Sequence, residues 1–71
     1  RVDTVVHTRE RIYVMEFKLD GTADSALEQI RTSRFMQQGK EVIALGISFS
    51  SATKSVAEWK AVPYASLLVQ G

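Results

Sequence analysis

Asp3, Glu16 and Lys18 are the side chains in this sequence whose types and spacing can do chemistry. Both carboxylates lie in runs rich in β-branched and aromatic residues, "VDTVVH" and "RIYVMEFKL", which read as strands. The polar "TRER" between them offers a turn, so the two runs form an antiparallel hairpin. With the turn centred on Arg9 and Glu10, Thr8 faces Arg11 and Asp3 faces Glu16. Opposed side chains of this kind have Cβ atoms about 4.5–5.5 Å apart, where two like charges repel by about 3 kcal/mol at an effective dielectric near 20. A hard divalent cation removes that repulsion. Mg²⁺, or Mn²⁺ in its place, takes oxygen ligands and is commonly held by one or two carboxylates together with phosphate oxygens and water.

Lys18 lies two residues beyond Glu16 and therefore on the same face of the strand. A lysine beside a metal-activated water, with phosphate oxygens as further ligands, is equipment for hydrolysing a phosphodiester. The same residues also fit a plain ion-pair network: Arg1 falls opposite Lys18, and Arg1, Lys18, Asp3 and Glu16 can pair diagonally with no chemistry at all. Residue types and spacing leave both readings open.

These side chains need elements to position them. The second strand is apolar on both faces, Ile12 and Val14 on one and Tyr13, Met15 and Phe17 on the other, as in a sheet covered on both sides. Asp20 and Gly21 break it, Thr22 is suited to cap a helix, and Asp24 in the first turn complements the helix dipole. The spacing predicts a helix from about Ala23 to Gln37 with Gly39 as its stop. Its inward stripe is Ala23, Ala26, Leu27 and Ile30, while Glu28, Arg31 and Thr32 face away. "EVIALGISFS" reads as a buried central strand, and strand, helix, strand makes a crossover that sets the two strands parallel. "SVAEWKAV" reads as an edge strand ending at Pro63, and "YASLLVQG" as either a helical turn or a short extra strand. The expected fold is a mixed-sheet α/β core: hairpin, crossover helix, buried parallel strand and edge strand. The acidic site falls near the carboxyl end of a strand that feeds a crossover, where open α/β sheets bind ligands.

Composition narrows the function. Seventy-one residues make one domain, and the start at arginine rather than methionine marks residues 1–71 as an expected part of a longer protein. Nine basic against eight acidic side chains give no overall positive field, so any nucleic-acid contact is local. The absence of cysteine excludes disulfides and thiolate metal sites and tilts the expected location to the cytoplasm. No apolar run approaches the roughly 18 residues of a membrane span. No glycine-rich phosphate loop occurs, and Ser48, Ser50 and Ser51 have no base nearby in sequence. His7 shares a strand face with Asp3 but lies about 13 Å along it at roughly 3.3 Å per residue, outside any common metal shell. Trp59 is expected to pack against a helix, with stacking on a base as the alternative. Arg31, Arg34 and Lys40 read as solvated charges, with a DNA backbone contact as the sharper alternative.

"RVD" followed by "EFK" in a hairpin, then a helix and a hydrophobic strand, resembles the PD-(D/E)XK nuclease superfamily, whose hallmark is an acid on one strand and Glu-x-Lys on the next. "IYVMEFKLDGTADSALEQI" and "VIALGISFSSATKSVAEWK" look like the branch in which such a domain follows an AAA-like ATPase domain. The resemblance runs from Arg1 to about Val62. It implies a truncated restriction-endonuclease-like core and Mg²⁺- or Mn²⁺-dependent cleavage of DNA. Asp3 and Glu16 then match metal-binding acids, the carbonyl of Phe17 a further metal ligand, Lys18 the catalytic lysine, and Gln29 a helix glutamine beside the site. Phe35 stands where that branch often has tyrosine. The competing reading is a non-catalytic module of the same fold that recognises a partner or docks on the ATPase domain. An uncovered sheet face would also favour a homodimer.

Overall fold

The opening hairpin forms in the register that its turn dictates. In the computed structural model, which describes residues 2–35 and 39–69, strand β1 spans Thr4–His7 and β2 spans Arg11–Leu19. They pair antiparallel with Thr4 opposite Met15 and His7 opposite Ile12. The turn is closed by Thr8, whose N–H donates to the Arg11 carbonyl at 2.8 Å. The Thr8 hydroxyl accepts from the Arg11 N–H at 2.9 Å.

Asp20 ends β2 in the left-handed region, φ 59°, a conformation that a short polar side chain tolerates by bonding locally. Its carboxylate accepts from the Ser51 amide at 2.9 Å and the Ser51 hydroxyl at 2.6 Å. Those bonds hold the Asp20 carboxyl below its usual range. Helix α1, Ala23–Ser33, begins at a reciprocal cap in which the Thr22 hydroxyl accepts from the Ser25 amide at 2.9 Å. Its buried residues are Ala23, Ala26, Leu27 and Ile30, the stripe expected from the spacing.

The helix is shorter than the expected run to Gln37. Arg34 turns left-handed, φ 55°, directly after Ser33. Thr32 and Ser33 hydroxyls bond back to the carbonyls of Gln29 and Ile30 at 3.0 and 2.6 Å, satisfying the last turn without further helix. Gln37 itself lies outside the described residues. Gly39, φ 90°, therefore shapes the approach to the next strand rather than stopping α1.

Strand β3, Glu41–Ser50, pairs parallel with β2, and β4, Ser55–Pro63, pairs antiparallel with β3. The sheet order is β1-β2-β3-β4, with β4 at one edge as expected. The tail resolves as a short helix, α2, Tyr64–Leu68. Ile12, Val14, Leu27, Ile30, Ala44, Tyr64 and Leu67 form the core. The Phe35 ring meets Tyr64 edge to face at 6.3 Å.

Two expectations are reversed. Among the described residues β2 and β3 are covered on one face only, because α1 and α2 share a single core cluster. Tyr13, Met15 and Phe17 on the opposite face remain half-buried. Trp59 on that face is 64% exposed, against the expected packing under a helix. It is turned away from α1, so the helix cannot cover it. No described helix is long and apolar enough to cross a membrane.

Candidate functional site

Strand alternation turns Ile12, Val14, Glu16 and Lys18 toward α1, apolar deep in the core and charged toward the end of β2. Asp3 enters from just before β1. Its N–H donates to the Met15 carbonyl at 3.1 Å, and its carboxylate oxygen Oδ2 accepts from the Phe17 N–H at 2.9 Å. Asp3 therefore brackets Glu16, holding the backbone on either side of it. The strand register begins at Thr4 opposite Met15, one residue short of an Asp3–Glu16 pair, and the Asp3 bonds reach the two residues that flank Glu16.

Glu16 is 3% exposed, and its buried Oε1 has no hydrogen-bond partner among the described residues. A buried carboxylate oxygen without a donor is costly unless something electropositive answers it. Burial pushes the Glu16 carboxyl above its ordinary range. The neighbouring Asp3 charge and a hydrogen bond that only protonated Glu16 can share with Asp3 push the same way, while Lys18 pulls it down.

Lys18 donates from its ammonium to Gln29 Oε1 on the second turn of α1. That bond fixes the amine with one of its three donors and leaves two for a phosphate oxygen or a water. Asp3 and Lys18 thus lie beside Glu16 at the end of β2, and Gln29 of α1 holds the Lys18 ammonium there. Phe17 lies between Glu16 and Lys18 on β2. Among the described residues no set of three or more His, Cys, Asp or Glu side chains is arranged to hold a metal. The donor set is the Asp3 and Glu16 pair, which suits Mg²⁺ because that ion takes few protein carboxylates and completes its shell with phosphate and water.

Other sequence candidates fall outside the site. His7 is exposed on β1. Ser48 is 1% exposed and its hydroxyl donates to the Gly21 carbonyl at 2.8 Å, a structural bond. Arg31 is engaged by Glu28, and Lys40 donates to the Thr8 carbonyl at 2.7 Å. Arg1, expected opposite Lys18, lies outside the described residues.

Two residues escaped the sequence reading. Glu58 Oε2 accepts from the Ala23 N–H at 2.6 Å, and Lys60 Nζ bonds Asp24 Oδ1 at 2.8 Å, so β4 grips the first turn of α1. The signal was present in the alternation of β4, which puts Glu58 and Lys60 on the same face as core-packed Val62.

The buried Glu16 carboxylate makes a prediction for the metal-free chain. Its folded pKa is raised, so between the unfolded and folded values the folded chain binds more protons and loses stability as pH rises. Above the folded value the penalty is constant. Glu16→Gln keeps the shape and lets the amide donate to Asp3. The expected result is a higher thermal midpoint than wild type at neutral pH, with the difference shrinking as pH falls toward the ordinary carboxylate range. A midpoint lowered by the substitution at neutral pH would show that the carboxylate is stabilising there.

The family model described as the PD-(D/E)XK nuclease superfamily matches residues 1–59. No curated protein and no solved structure matches the chain.

Proposed function

This chain belongs to the PD-(D/E)XK nuclease superfamily, and from that premise we propose that it is a Mg²⁺- or Mn²⁺-dependent endonuclease that hydrolyses phosphodiester bonds of DNA. The fold is a restriction-endonuclease-like α/β core with a mixed four-stranded sheet. The observation that carries the reading is Glu16 Oε1, a buried oxygen without a donor among the described residues, set beside Asp3 and on the strand that bears Lys18. A divalent cation would answer that oxygen, which no described donor reaches.

Asp3 and Glu16 would hold the ion, with the Phe17 carbonyl as a further oxygen. When bound, the ion lowers the pKa of a coordinated water and stabilises the charge that grows at phosphorus. Lys18, oriented by Gln29, binds a phosphate oxygen or steers the attacking water. Asp3 has a second task, since its bond to the Phe17 amide fixes the stretch of β2 that carries both Glu16 and Lys18. The likeness of "IYVMEFKLDGTADSALEQI" to the ATPase-linked branch supports an AAA-like ATPase domain as the partner within a longer chain.

The test is a thermal midpoint titrated with Mg²⁺ or Mn²⁺. An ion at 100 times its dissociation constant adds about 2.7 kcal/mol to the folded state, and 1 kcal/mol moves the midpoint of a domain this small by about 4–8 °C. The expected result is a rise of about 10 °C or more that Glu16→Gln removes. A wild-type midpoint indifferent to both ions would leave a non-catalytic module of the same fold.

A further inference from the structure

The first turn of α1 is tied down more heavily than its helicity requires. Thr22 already caps the helix locally through the Ser25 amide, and that suffices to start a helix. Glu58 adds a bond from 35 residues away, its Oε2 accepting from the first helical amide, Ala23, at 2.6 Å. Lys60, two residues on along β4 and on the same face, bonds Asp24 at 2.8 Å. Ser48 on β3 holds the Gly21 carbonyl at 2.8 Å just before the helix. These contacts decide where α1 sits rather than whether it forms.

The position of α1 matters because the helix carries Gln29, and Gln29 holds the Lys18 ammonium. Lys18, Ser48 and Glu58 lie in one row across β2, β3 and β4. The row therefore sets both ends of a closed linkage: Glu58 to the helix start, the helix to Gln29, Gln29 to Lys18, and the sheet from Lys18 back to Glu58. A rigid helix transmits an axial or rotational slip at its first turn to the second turn.

We propose that Glu58 is a positioning residue for the site, its carboxylate on the Ala23 amide keeping α1 seated so that Gln29 stays bonded to Lys18. The proposal rests on the nuclease reading for its effect on turnover, but the linkage itself exists whether or not the chain cuts DNA. Glu58 touches neither the reacting atoms nor Asp3 and Glu16, so metal binding does not depend on it. The bond is also one that an amide oxygen can accept, which separates the role of the acceptor from that of the charge.

The experiment follows the Gln29 side-chain amide resonance of the whole chain by NMR, assigned by its loss in Gln29→Ala. Glu58→Ala is expected to shift that resonance toward the values of a solvated glutamine, and Glu58→Gln to restore it. Both variants are checked for folding by their dispersed backbone spectra. An unmoved Gln29 resonance in folded Glu58→Ala overturns the proposal, and so does a shift that Glu58→Gln fails to reverse.

Plasmid nicking with Mn²⁺ supplies the second readout. Glu58→Ala should lower the rate by about 10- to 100-fold, the scale of loss from misplacing a group by about 1 Å. It should lower it no further in a Gln29→Ala background, because the two act through one contact. Equal losses in both backgrounds overturn the proposal. Absence of nicking in wild type counts against the nuclease reading alone, since the resonance still tests the linkage.

Discussion

Lys18→Met is expected to cut the rate of plasmid nicking by at least about 100-fold, the scale seen when one preorganised donor is removed from a developing charge, while the metal-induced rise in thermal midpoint survives. The two halves of that result come from different residues. The ion is assigned to Asp3 and Glu16, whose placement depends on the Asp3 bonds to Met15 and Phe17 and not on Lys18. Methionine keeps most of the stem that passes beside Gly21, where the Lys18 Cβ lies only 3.2 Å from the position a Gly21 Cβ would take. What is lost is the ammonium and its bond to Gln29. Nicking at the wild-type rate would remove Lys18 from the mechanism. Loss of the metal response together with nicking would mean that Lys18 helps to build the acidic pair.

Gly46→Ala is expected to lower the thermal midpoint by about 10–20 °C. Gly46 lies beside Glu16 in the parallel register of β2 and β3. A Cβ there would sit 2.5 Å from the Ala23 carbonyl oxygen and 3.1 Å from both Ala26 Cβ and Leu27 Cγ. The nearest obstacle is backbone, so relief requires α1 to lift from the sheet. Overpacking of this kind costs about 1–3 kcal/mol, and each kcal/mol shifts a domain of this size by about 4–8 °C. A clash with backbone puts the cost near the top of that range, so the entropic gain from replacing glycine, roughly 0.5–1 kcal/mol, offsets only part of it. A core this small supplies about 3–5 kcal/mol in all, so the substitution removes a large share of the net stability. Calorimetry giving a midpoint within 2 °C or so of wild type would show that α1 has more freedom over Gly46 than this packing implies.

The readable parts of the molecule are those set by neighbours in sequence. The turn from Thr8 to Arg11 fixes the hairpin register, and that register brings Asp3 to Glu16. Thr22 and Ser25 announce the helix start, and the spacing of Ala23, Ala26, Leu27 and Ile30 names its buried face. The helix end was less readable, because Arg34 enters a left-handed conformation that arginine rarely adopts, and no glycine marks it. Gln29 was found through likeness to a family, since nothing in the spacing of residues 18 and 29 shows that their side chains meet.

By itself the chain of residues determined the hairpin pairing, the helix and its inward stripe, and the parallel crossover. All of these follow from turn chemistry, period-two and period-3.6 alternation, and local capping, which act over a few residues. Only the tertiary structure decided that no described donor reaches Glu16 Oε1, that α1 rests against Gly46, that Glu58 and Lys60 hold its first turn, and that Trp59 faces outward. Those features depend on how closely and at what position a helix crosses a sheet. That geometry is set by side chains far apart in sequence, and no local pattern contains it.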